Sequence, residues 1–187
     1  MKRAAHPTID VLVQADAWTR ALSSSPAVCR RAARAAFAAG ARAGLKRKAA
    51  AVELSIVLGS DAAIRKLNAA YRKKDKATNV LSFPVGGADV PGADVGAAGG
   101  VLLGDVVIAY GTVAREAREA RKSLKDHLSH MVVHGVLHLL GYDHESAPDA
   151  VTMERLETKI LSQLGVTDPY RDTVPLPRPP RGARRRT

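Results

Sequence analysis

One cysteine in 187 residues, Cys29, rules out an intrachain disulfide and any zinc site built from several thiolates. A lone thiol of this kind is expected to act as a small buried hydrophobe. Aromatic residues are scarce, at 4%, with two Phe and one Trp, so a core has to come from aliphatic and alanine side chains. No run approaches the roughly 18 apolar residues of a membrane span, and Met1 to Gln14 lacks the apolar stretch of a secretory signal. A cytoplasmic protein with no membrane association is therefore expected. Acids are short as well: 18 Asp and Glu face 29 Lys and Arg, leaving a net charge of +11. An excess of that size is the footprint of a polyanion partner, RNA, DNA or an anionic surface.

What is present is globular. Hydrophobic residues at 46% and charged residues at 25% exclude a disordered or collagenous chain, and the length suits one core. Strands are expected over Ile9 to Gln14, Val52 to Leu58, Val80 to Phe83 and Val101 to Tyr110, the last interrupted at Gly104 and Asp105. Helices are expected over Ala27 to Ala43, Asp61 to Tyr71, Gly111 to Arg121, Leu124 to Leu140 and Ala150 to Leu164. Asp61 is a candidate cap for the second of these; Ser123 with Asp126 forms a possible capping box, and Gly141 a natural stop. Two basic clusters stand out, one from Arg30 to Lys48 and one at Arg72, Lys73, Lys74 and Lys76. Residues 85–100, with six Gly, four Ala and one Pro, are too poor in side chains to pack and read as a flexible loop. The tail 171–187, rich in Pro and holding six Arg, reads as disordered. The expected organisation is thus one catalytic domain over residues 1–170 followed by that tail.

Five of the six histidines fall between His127 and His144. At 100° per residue His127, His130, His134 and His138 share one stripe of a helix that is otherwise mostly Leu, Val and Met. Several imidazoles on one buried stripe favour a metal over hydrogen-bonded core histidines. Residues four apart lie about 6 Å apart along the axis and can share an ion, whereas residues eight apart, at about 12 Å, cannot. His134 and His138 therefore need a third ligand from beyond the helix. Gly141 lets the chain turn back so that His144 can supply it, with His130 as the rival. Three neutral nitrogens leave a fourth position open, as in a catalytic zinc site. The spacing is also that of the metzincin proteases, whose general-base Glu follows the first His. Here that position is Gly135, and losing such a base costs about 10²- to 10⁴-fold. A basic chain with this site points instead to a phosphodiester, where added negative charge must be stabilised.

Taken with Leu67-Asn68-x2-Tyr71-Arg72-x2-Asp75, Thr78-Asn79-Val80-Leu81-Ser82-Phe83-Pro84 and Leu103-Gly104-Asp105-Val106, the histidine motif resembles that of the YbeY endoribonucleases. The resemblance runs from about Val52 to Tyr170. It implies an α/β (α+β) fold with a small mixed sheet packed with helices, and one zinc ion on His134, His138 and His144. It further implies single-strand-specific cleavage of RNA, maturation of the small-subunit ribosomal RNA 3′ end, ribosome quality control, and the ribosome or its small subunit as partner. Arg72 is, by the same resemblance, the functional arginine beside the metal. Asn79 stands where many relatives have Asp.

Other polar residues near the motif have milder expected roles. Asp143 and Glu145 flank His144 and are expected as solvated turn residues, with ligand orientation or proton transfer as the sharper option. Asp105 is a candidate to hold a backbone group or a ligand histidine. His127 and His130 are expected as structural or outer partners, and Met153 as a core residue. Two further classes remain open on the sequence: a non-catalytic RNA-binding assembly factor with a structural metal, and a metallopeptidase-like hydrolase.

Overall fold

The computed structural model describes residues 7–41, 51–85, 100–144 and 146–171. The glycine-rich stretch, Glu145, the part of the first basic cluster from Arg42 on, and the tail lie essentially outside these residues. Four strands, β1 (Thr8–Val13), β2 (Ala51–Gly59), β3 (Val80–Pro84) and β4 (Gly100–Ala109), form one sheet in the order β1-β2-β4-β3. β1, β2 and β4 run parallel and β3 is antiparallel at the edge, so the expected small mixed sheet is what the chain forms. Six helices are described: α1 (Asp16–Ala21), α2 (Ser25–Gly40), α3 (Asp61–Arg72), α4 (Tyr110–Glu119), α5 (Leu124–Leu139) and α6 (Ala147–Gln163). Helix α1, too short to show a period in sequence, was not anticipated. It exists because Trp18 is fully buried, donating its indole N–H to the Gly59 carbonyl (3.2 Å) and meeting the edge of Tyr110.

Alternation along the strands divides the interior. Val52, Leu54, Ile56 and Leu58 of β2 face the main core with α2, α5 and α6, while Leu81 and Val107 face a smaller cluster with Ile64 of α3. Period-2 side-chain alternation forces this two-sidedness. In β4 the phase changes midway: Val101 and Leu103, then Val106 and Ile108, all reach the main core. A β-bulge makes this possible, because Glu53 pairs with Leu102 and Leu54 with Gly104, leaving Leu103 as the extra residue. Gly104 sits at φ +124°, and a Cβ there would lie 2.1 Å from the Phe83 carbonyl oxygen. The interruption expected at Gly104 and Asp105 is therefore a bulge that preserves burial, and Asp105 itself is exposed.

Helix ends follow local chemistry. Ser60, rather than Asp61, caps α3 by accepting the Ala63 N–H (3.3 Å). The Asp61 carboxylate instead accepts the N–H and hydroxyl of Thr112 (both 2.9 Å) at the start of α4, where anions are favoured. α2 stops at Gly40, three residues short of the expected end, and opens at Ser25. Gly40 is pressed against α5, where a Cβ would lie 2.7 Å from Leu137 Cδ2. Cys29 is fully buried in this α2 face, and burial pushes its thiol up to about 12.

Candidate active site

The histidine helix α5 is capped by Ser123, whose hydroxyl accepts the Asp126 N–H (3.0 Å). Its Leu, Val and Met side chains are buried nearly all round, which anchors it against β3, β4 and α2. It ends in a Schellman turn: Tyr142 N–H reaches the Leu137 carbonyl and Gly141 N–H that of His138, both at 3.0 Å. Gly141 takes φ +82°, a conformation that glycine adopts without strain. Tyr142 then donates its hydroxyl to the Gly40 carbonyl (3.1 Å), pinning the turn to α2. His144 N–H is held by Asp143 Oδ1 at 2.6 Å.

That turn returns the chain to the helix. The His144 ring lies 5.6 Å from that of His134 and 5.0 Å from that of His138, and one nitrogen from each of the three lies within 4.8 Å of the others. His134 Nε2 and His138 Nε2 face each other at 3.1 Å. Burial, then the neighbouring His134 and His144, bring His138 down to about 4, so its imidazole is neutral at pH 7, the form that binds a metal. The donor set therefore fits a metal ion. His130, the rival to His144, is directed elsewhere.

Behind the cluster lies a residue that the sequence reading missed. Glu157 on α6 is fully buried and meets His134 Nδ1 at 2.8 Å and His130 Nε2 at 3.0 Å. Burial raises its carboxyl, but the hydrogen bonds and charge of His130 and His134 more than reverse this and hold it at about 2. An ionised Glu157 makes His134 Nδ1 the protonated nitrogen and leaves Nε2 free to ligate. Tyr170 also donates to Glu157, and its own hydroxyl is pushed well above its ordinary value by burial and then by the Glu157 charge. The signal was available: Glu157 lies four residues from both Met153 and Leu161, two core positions of the same helix. Glu116, also missed, accepts from His127 Nε2 (2.9 Å) and from Asn79 Nδ2 (3.2 and 3.3 Å). Carboxylates thus partner the two described histidines that stand outside the cluster. Asp105, being exposed, makes no side-chain hydrogen bond among the described residues and holds no histidine. Met153 is buried in the main core.

The cluster opens into a cleft of about 690 Å³ whose lining includes His134, His138 and His144 together with Arg72, Lys74 and Asn79. Arg72, the last residue of α3, reaches this cleft because the following loop is strapped down. Arg65 grips Asp75 through two hydrogen bonds (2.7 and 2.8 Å), and Asn68 donates to the Lys76 carbonyl (2.8 Å). Gly135 has a structural reason: a Cβ there would lie 2.5 Å from Val106 Cγ1, and Ser82 donates to its carbonyl (3.1 Å). The position where a metzincin carries its base is filled by the sheet.

The family model described as Endoribonuclease YbeY matches residues 23–165. The chain belongs to the YbeY endoribonuclease family. A YbeY endoribonuclease of Rhodopseudomonas palustris strain HaA2 is 46% identical over 173 residues, covering 92% of this chain and 86% of that protein. One from Parvibaculum lavamentivorans is 50% identical over 164 residues, covering 87% and 84%. TM1509 of Thermotoga maritima, solved in solution, superposes with TM-score 0.49 and 23% identity over 91% of this chain and all of that one. Family membership makes the YbeY chain a nuclease acting on RNA phosphodiester bonds. None of the described helices is long and apolar enough to cross a membrane.

Proposed function

We propose that this YbeY protein is a zinc-dependent, single-strand-specific endoribonuclease that matures the small-subunit ribosomal RNA 3′ end and acts in ribosome quality control. The observation that carries the proposal is the shared cleft: Arg72 and Lys74 face the same space as His134, His138 and His144. In this reading the three histidines hold zinc, which supplies Lewis-acid charge to a phosphoryl oxygen when bound. Glu157 fixes the orientation and tautomer of His134, and Asp143 holds the backbone of His144. Arg72 offers a planar fork of N–H donors to the phosphate, a match that strengthens as charge accumulates in the transition state. Lys74 adds a second positive charge to the same cleft.

A cleavage assay on single-stranded RNA, run with metal analysis and with or without chelator, tests this. Zinc at one ion per chain, cutting abolished by chelator and restored by zinc, and no cutting by His138→Ala are the expected results. RNA binding by the zinc-loaded wild type without cleavage would replace the proposal with the non-catalytic assembly factor. The chemistry of the cut identifies the nucleophile: a 2′,3′-cyclic phosphate end marks the RNA 2′-hydroxyl, and continued cutting of a strand whose 2′-hydroxyl at the cut is methylated marks water.

A further inference from the structure

Tyr71 is an anomaly in a chain so poor in aromatics. Tyr71 is 69% exposed, more than any other large hydrophobic residue described, although it sits next to Arg72 at the end of α3. Phe83 props it from one side, with ring centroids 5.2 Å apart at 66°, and Phe83 is itself packed on the small cluster around Ile64 and Leu81. The platform is therefore rigid on one side and open on the other.

Its location ties it to the cleft. Ser82 and Pro84, on either side of Phe83 in β3, both line the cleft, as does Arg72. Edge strand β3 thus lies between the two, with Ser82 turned toward the histidine helix and Phe83, on the alternate face, against the Tyr71 ring. The surroundings are cationic: Arg72, Lys73, Lys74 and Lys76 follow Tyr71 in the chain, and among the described residues none of them is ion-paired. An exposed aromatic face bordered by unpaired cations is complementary to a nucleotide, with the base on the ring and its phosphate on the charge.

We infer that Tyr71, supported by Phe83, stacks an unpaired base of the RNA substrate beside the phosphate that Arg72 binds. The inference rests on the RNA-cleaving reading of the cleft and deepens it. Every base has a π face, so a stacking platform tolerates any sequence. A base inside a duplex is already stacked and paired on both sides, so the same platform discriminates against double strands. Single-strand preference then follows from one exposed ring, without any base-specific hydrogen bond.

The test uses the full-length, zinc-loaded protein and a single-stranded RNA whose cut position has been mapped. Tyr71→Phe keeps a ring, whereas Tyr71→Leu keeps an apolar contact for Phe83 but has no π face. Tyr71→Leu is expected to raise KM roughly tenfold, within the range of one lost base stack, with kcat nearly unchanged and with Tyr71→Phe close to wild type. Replacing one pyrimidine near the cut by the non-planar base dihydrouridine should raise KM similarly in the wild type and add nothing in Tyr71→Leu. A Tyr71→Leu protein with wild-type KM, or one in which dihydrouridine is as damaging as in the wild type, overturns the inference alone. A wild type that leaves the unmodified strand uncut removes the underlying reading and the inference together.

Discussion

At the scale of single residues, charge placement governs the site. Glu157 has no water to solvate it and depends on His130, His134 and Tyr170. Glu157→Gln keeps the shape and removes the charge that selects the His134 tautomer. Metal affinity, measured by competition with a chromophoric chelator, should fall about 10- to 100-fold while the fold persists. An unchanged affinity would mean that His134 needs no such partner. Arg72→Ala, by contrast, should bind zinc normally and lose cleavage, because Arg72 faces the cleft without touching the cluster. Cys29 makes a prediction about pH. Its folded value of about 12 lies well above that of an ordinary thiol, near 9, so the unfolded chain releases the thiol proton first. The contribution is fully present below pH 9 and is lost as pH rises from 9 toward 12. The stability difference between wild type and Cys29→Ala should therefore shift against the wild type over that window, as read by denaturant titration. Native Cys29 should also resist thiol reagents at pH 8 until the chain unfolds.

At the scale of elements, two close approaches decide how strands and helices meet. The bulge at Leu103 and Gly104 resets the alternation of β4 so that both halves of the strand feed one core. Gly104→Ala places a methyl group against the Phe83 carbonyl at a φ that L-residues avoid. It should destabilise the protein by more than about 1 kcal/mol, seen as a lower denaturation midpoint, and should disturb the pairing of β3. The bulge was visible only as an oddity in the sequence: Val101 and Leu103 are odd, Val106 and Ile108 even, and a strict period of two cannot bury all four. Helix α5 shows the opposite case. Its stripe of histidines, its cap at Ser123 and its stop at Gly141 were each legible, because helical period and end chemistry are local properties. Helix α1 was not legible, since six residues hold too little period and its anchor, Trp18, is set by a contact with distant Gly59.

At the scale of the whole molecule, the positive charge has two parts. Residues 171–187 carry six Arg and one Asp, which is +5 of the total of +11. The remainder includes Arg72 and Lys74 in the cleft. Removing residues 172–187 should flatten the salt dependence of RNA binding, because fewer counterions are released, while leaving cleavage at saturating RNA intact. A truncated protein with no turnover would put the tail in the chemistry instead. Binding measured across a salt series, beside kcat, separates the two outcomes.

The sequence by itself determined the elements whose causes are local: the strand and helix patterns, the turn at Gly141, the spacing of His134, His138 and His144, and the cationic excess. It also pointed to Gly135 as a departure from peptidase chemistry. Only the tertiary structure decided which partners these groups meet. Glu157 of α6 bridges His130 and His134 of α5, Arg72 shares a space with histidines more than sixty residues away in the chain, and Val106 fills the place of a missing base. The physical reason is range. Periodicity and capping act over a few residues, whereas hydrogen bonding, desolvation and steric exclusion act between neighbours in space whatever their separation along the chain.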